Sequence, residues 1–260
     1  MNKRLGILTM ILFGILVLTA ALILFRNDWL HPGQKAEPTP SPTTTPEADV
    51  TPTPEPTMDP EKDPRFFDTN SVLICVNKKH RLPEGYEPVD LRVPHVEMRY
   101  NTWSLRDEAA AKLEEMFQAA VNENIRLVMG SGYRSEAFQK TLYDSYVQRD
   151  GVEKADTYCA RPGYSDNQTG LATDICGQDP NYDLTSKFDE TPEGKWLALH
   201  AHEYGFIMVY PKDKEEITGY RYEPWHYRYI GVDNAKELHS ERPNMTFEEF
   251  YHLSGGDYAG

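Results

Sequence analysis

Three segments of the sequence hold polar groups where a plain apolar core would not want them. In Glu223-Pro224-Trp225-His226 a carboxylate stands three residues before an imidazole, at the entry to an aromatic strand. That pairing suits a metal ligand with a general base beside it, although a lone His next to Trp also serves as a hydrogen-bonded structural residue. Asp174 lies inside the otherwise apolar run Gly170-Leu171-Ala172-Thr173-Asp174-Ile175. A buried carboxylate is costly unless it is paired, hydrogen-bonded or metal-bound, so Asp174 is either a ligand or the acceptor of a nearby turn. Ser131-Gly132-Tyr133-Arg134-Ser135 offers Arg134, whose planar fork suits a carboxylate or an oxyanion.

These residues need elements to hold them. Ser104 and Asp107 are spaced as a capping box, and Leu105, Ala109, Leu113, Met116, Phe117, Ala120 and Val121 follow at helical spacing. Ile125–Met129 reads as a short strand ending at Gly130. Ser135 is placed to cap a second helix carrying Phe138, Leu142 and Tyr146. Gly170–Ile175 reads as a strand, and Thr191-Pro192-Glu193 starts a helix with Pro at its first position. Gly205 stops that helix before the strand Phe206–Tyr210, and Trp225–Ile230 is a further strand. Helices mixed with short strands predict an α+β fold.

The 260-residue chain is not uniform along its length. Residues 5–25 carry no charge and, as a helix, would span about 31 Å, the thickness of a bilayer core. No small-x-small cleavage site follows, and Lys3 and Arg4 precede the span, so an uncleaved anchor with the N-terminus inside is expected. A Pro/Thr-rich stretch comes next, with too few apolar residues to bury a core. The expected organisation is a transmembrane anchor over 1–30, a linker over 31–64 and one domain over 65–260, held outside the membrane on a stalk. The formal net charge is −14, from 27 basic and 41 acidic residues. An acidic body without a basic stripe argues against nucleic-acid binding. Three Cys and no CxxC exclude a disulfide-dense scaffold and a Cys-based zinc finger.

Taken in order, SGYRS with a following Gln, then PGYSxxxTGLAxDI, then YGFIxxYPxxKxxITGYxYEPWHYRYIG, resemble the VanY-type D-alanyl-D-alanine carboxypeptidases, zinc peptidases of the hedgehog/DD-peptidase fold. The resemblance runs from about Leu73 to Phe250 and takes in Val76-Asn77-Lys78-Lys79-His80. It implies a small, mainly antiparallel sheet packed by helices, a Zn2+ cofactor, and a peptidoglycan stem peptide ending in D-Ala-D-Ala as substrate on the cell-wall side of a bacterial membrane. Some relatives trim the tetrapeptide instead, and that choice stays open. By position, Asp174 and His226 match zinc ligands and Glu223 the catalytic carboxylate. Arg134, Gln139 and Ser165 match substrate-binding positions, with Arg134 also placed to stabilise the oxyanion.

One ligand departs from the pattern. The family motif SxHxxGxAxD has His where this chain has Asn167, and an amide oxygen is a much weaker zinc donor than imidazole. His200 and His202, on the expected helix from Pro192 to Tyr204, are the other imidazoles considered for the vacancy. Asp166 is adjacent, but on an extended backbone its side chain would point away. The resemblance therefore leaves two readings, a working zinc peptidase or an impaired relative that still binds stem peptides. Cys159 and Cys176 flank the motif, and either a bridge between them or free buried thiols fits the sequence.

Overall fold

The computed structural model describes residues 58–258. The anchor and most of the linker lie outside the described residues. Among the described residues, no helix is long and apolar enough to cross a membrane. The fold takes in part of the stretch assigned above to the linker: Pro60–Lys62 and Pro64–Phe66 are short 3-10 turns, each opened by an Asp side chain that accepts a backbone N–H. Glu61 is tied to the body by His80 Nε2 at 2.8 Å and by the backbone N–H of Ser254 at 2.6 Å.

In chain order, strands β1 (Leu91–Arg92) and β2 (Leu105–Arg106) form a two-stranded antiparallel ribbon that leads into helix α1 (Asp107–Asn122). Strand β3 (Val128–Met129) precedes helices α2 (Glu136–Asp150) and α3 (Val152–Ala155). Strand β4 (Ala172–Cys176), helix α4 (Pro192–His200), strand β5 (Phe206–Met208) and helix α5 (Glu215–Thr218) follow. Strand β6 (His226–Tyr229) and helices α6 (Val232–Glu241) and α7 (Phe247–Tyr251) complete the fold. The main sheet runs β3-β4-β6-β5 with every neighbour antiparallel, so the α+β expectation holds.

Helix α1 buries Ala109, Ala110, Leu113, Met116, Phe117 and Ala120 against the sheet. Each large apolar side chain in that stripe contributes about 1.5–3 kcal/mol by leaving water. Two details differ from the sequence reading. Leu105 is fully buried but belongs to β2, because ribbon pairing with Arg92 extends the chain through Arg106. Ser104 therefore lies outside the helix and caps nothing, and the N-cap position falls on Arg106 without a side-chain bond. Val121 is half exposed, off the buried stripe. By contrast Ser135 caps α2, accepting from Phe138 N at 3.2 Å, and Thr191 caps α4 through Gly194 N at 3.0 Å. The bridge between Cys159 and Cys176 is not formed; Cys75, Cys159 and Cys176 are all free and buried.

Candidate active site

The centre of the site is set by strand register. Asp174 on β4 is the direct cross-strand partner of His226 on β6. Residues opposite each other in an antiparallel pair project to the same face, so these two side chains meet. Asp174 Oδ1 lies 2.8 Å from His226 Nδ1. Its other oxygen accepts from Ser131 Oγ at 2.5 Å and from an Arg134 guanidinium nitrogen at 3.0 Å. The Ser131 hydroxyl in turn accepts from the backbone N–H of Asp174 at 3.1 Å. The Ser131–Ser135 loop can lie this close because Gly132 has no Cβ, which would stand 2.7 Å from the carbonyl oxygen of Ser104.

Asp166 was expected to point away, and it does not. Asp166–Thr169 is a 3-10 turn, closed by Gly170 in the left-handed region at φ 69. That curvature swings the Asp166 carboxylate inward, and its Oδ2 sits 2.9 Å from His226 Nε2. His226 is thus gripped at both ring nitrogens by carboxylates, all three side chains being at least nine-tenths buried. The two carboxylates push the imidazole well above its ordinary range despite burial, and His226 holds both below the usual carboxylate range.

Asn167, at the departed ligand position, is buried and lines the same cleft. Its amide nitrogen donates to Gly132 O at 3.2 Å and, at the limit of a bond, to Ala172 O at 3.5 Å. Neither imidazole considered as a replacement is near. His200 pairs with Glu203, and His202 stacks on His239 with ring centroids 3.6 Å apart. Neither lines the cleft.

Glu223 lies in the turn before β6, its N–H bonded to Tyr210 O at 3.0 Å and its O accepting from His226 N at 3.2 Å. Burial pushes its carboxyl up to about 7, against the pull of His226 and the two neighbouring arginines. Arg221 Nε is 3.7 Å from Glu223 Oε1. Tyr210 stacks on His226, ring centroids 5.1 Å apart at 17°.

Arg134, Gln139, Ser165, Asp174, Glu223 and His226, all singled out from the sequence, line one cleft of about 640 Å³, counting space open to solvent. Leu142, Tyr146, Tyr158 and Leu184 also line it. Helix α2 buries little: Leu142 and Tyr146 face the cleft, while Phe138 is exposed and meets Trp103 edge-on. Gln139 is almost wholly buried; its amide nitrogen donates to Ala160 O at 2.8 Å, while its oxygen has no partner. Asp166 and Ser131 are the site residues that the sequence reading missed. Only the serine had a signal, since it opens the segment that carries Arg134.

Residues 102–232 match the family described as VanY, D-alanyl-D-alanine carboxypeptidase. The putative carboxypeptidase YodJ of Bacillus subtilis is 43% identical over 185 residues, 70% of this chain and 67% of that protein. Among solved structures, the LdcB LD-carboxypeptidase superposes with a TM-score of 0.67 at 41% identity, covering 74% of this chain and 90% of that one. A VanY D,D-pentapeptidase variant in complex with Zn(II) superposes with a TM-score of 0.57 at 32% identity, covering 69% and 98%. The β4–β6 pair with its facing Asp and His, the buried Glu beside it and the extent of these matches lead to one assignment: the chain belongs to the VanY family of D-alanyl-D-alanine carboxypeptidases.

Proposed function

We propose that this protein is a membrane-anchored, zinc-dependent carboxypeptidase that removes the terminal D-alanine from peptidoglycan stem peptides on the outer side of the membrane. The observation that carries the reading is the convergence of Asp174, His226, Glu223 and Arg134 in one buried-walled cleft. The anchor rests on the uncharged span 5–25, and the location on the basic residues before it.

The donors present fit zinc at two of the family's three positions. The contact between Asp174 Oδ1 and His226 Nδ1 brings together two atoms that both carry lone pairs, so a positive centre, proton or metal, must lie between them. Asp174 and His226 would hold the ion, with the Asn167 amide oxygen as the protein donor at the third position. Zinc at such a site supplies Lewis acidity and a bound water of lowered pKa.

The chain's own groups supply the rest. Glu223, desolvated and poised near neutrality, takes a proton from the attacking water and returns it to the departing amine. Arg134 has one nitrogen committed to Asp174 and others left for the developing oxyanion or the substrate's carboxylate. Gln139, its amide nitrogen fixed on Ala160 O, also lines the cleft. Ser165 lines the same cleft, and with Gln139 it places the substrate's C-terminus.

The test is D-alanine release from a pentapeptide ending in D-Ala-D-Ala, and from the corresponding tetrapeptide, by the zinc-equilibrated full chain. Release from the pentapeptide, lost in Glu223→Gln, is the expected result. Asn167 favours one other reading, an impaired relative that binds stem peptides without cutting them. Saturable pentapeptide binding with no release would establish that reading instead.

A further inference from the structure

The clamp on His226 has a consequence for metal binding. A neutral imidazole carries one N–H, yet both ring nitrogens lie within hydrogen-bond distance of a carboxylate, at 2.8 Å and 2.9 Å. The two carboxylates are not equivalent. Asp174 also accepts from Ser131 Oγ, from Arg134 and reaches His226 from its own cross-strand position. Asp166 has His226 as its one side-chain hydrogen-bond partner among the described residues, and it is only 3% exposed. The 3-10 turn closed by Gly170 holds it there.

We infer that Asp166 is a positioning residue: it takes the Nε2–H of His226 and so keeps Nδ1, the nitrogen facing Asp174, as the metal donor. The inference rests on the zinc reading above. A ligating histidine generally donates its other N–H to a carboxylate or carbonyl, which fixes tautomer and ring plane and raises donor strength. The parallel stack of Tyr210 restrains the ring plane from one face, but only a hydrogen-bond acceptor distinguishes the two nitrogens. In a chain that has Asn167 at the third ligand position, more of the affinity depends on His226 being presented correctly, so Asp166 matters more here than it would beside a second histidine.

The experiment is zinc affinity of the full chain, by competition with a chromophoric chelator, for the natural sequence, Asp166→Ala and Asp166→Asn. Each is paired with the metal-free melting temperature and with the ring 15N shifts of His226. Asp166→Ala should weaken zinc by about 10–100-fold. Asp166→Asn keeps the shape and an acceptor oxygen, so it should retain most of the affinity and the Nε2–H tautomer. A purely structural role would lower the melting temperature of both variants and leave affinity and tautomer unchanged, which overturns the inference. The series is repeated with Asn167→His in every chain. If that background binds zinc and Asp166→Ala costs nothing, the inference alone fails. If neither background binds zinc, the zinc reading fails and takes the inference with it.

Discussion

Asn167→His restores the imidazole that the family carries, and its effect on stability should change sign with zinc. In the metal-free protein the substitution removes the amide bond to Gly132 O at 3.2 Å and the marginal contact to Ala172 O at 3.5 Å. One ordinary hydrogen bond is worth about 1 kcal/mol net, and the longer contact little. The larger ring has somewhere to go, because position 167 lines the cleft rather than the packed core. An imidazole N–H aimed at the same Gly132 carbonyl would recover part of the loss. The metal-free variant should therefore melt at most about 2–4 °C below the natural chain, the shift expected of 1 kcal/mol in a domain of this size. With zinc the balance reverses. Even an outer partner of a ligand is worth about 10–100-fold in affinity, so a direct ligand is worth at least that. At free zinc 100 times the variant's dissociation constant, binding stabilises the variant by about 2.7 kcal/mol. A natural chain binding 100-fold more weakly gains about 0.4 kcal/mol under the same conditions. After the packing loss the variant leads by about 1.3 kcal/mol, or about 3–5 °C. Thermal denaturation of both full chains, with chelator and with zinc, reads this directly. A melting order that stays the same in the two conditions would refute the argument that position 167 faces the metal.

Glu223→Gln should lower D-alanine release by at least about 100-fold, since it removes the proton acceptor while keeping shape; assay by D-alanine oxidation, with zinc content measured in parallel. Because burial raises the Glu223 carboxyl to about 7 and a bound cation would pull it down, kcat/KM should climb with pH on an acid limb at or below about 7; a limb centred above pH 8 would contradict the assignment. In the metal-free protein the imidazolium of His226 is held by two carboxylates and pushed up to about 10. A raised histidine stabilises fully below its unfolded value near 6.5 and loses that contribution as pH rises through its folded value, so the stability gap between the natural chain and His226→Gln should shrink from pH 6 to pH 10; denaturant titrations showing a gap that widens would refute the clamp. Lys78 is almost wholly buried, its Nζ 2.7 Å from Gly219 O and 3.0 Å from Asp257 and lying over the Tyr220 ring that lines the cleft. Lys78→Met should cost about 1.5–3 kcal/mol, a charged hydrogen bond's worth, measured by urea denaturation.

What was legible in the sequence and what was not divides along backbone geometry. Asp174 could be singled out because it breaks the apolar pattern of a strand, and His226 because a carboxylate stands three residues before it at the entry to one; a strand's period of two then tells which neighbours share a face. Ser135 and Thr191 could be placed as caps because their partners are only three residues away. Ser104 misled for the complementary reason: its spacing is that of a cap, but pairing of Leu105 with Arg92 is a long-range interaction that local spacing does not encode. Asp166 is the instructive case. Its side chain direction follows from the curvature of four residues, and an extended chain and a 3-10 turn send it to opposite sides. The Gly170 that closes the turn was visible, yet glycine after a polar run is equally at home in a loop. The departure at Asn167 drew attention to the missing ligand, whereas the residue the fold brings to His226 is the one before it. A ligand set read from a motif therefore names positions in the sequence; which carboxylate meets the second ring nitrogen of His226 is decided by a turn whose curvature only the structure reveals.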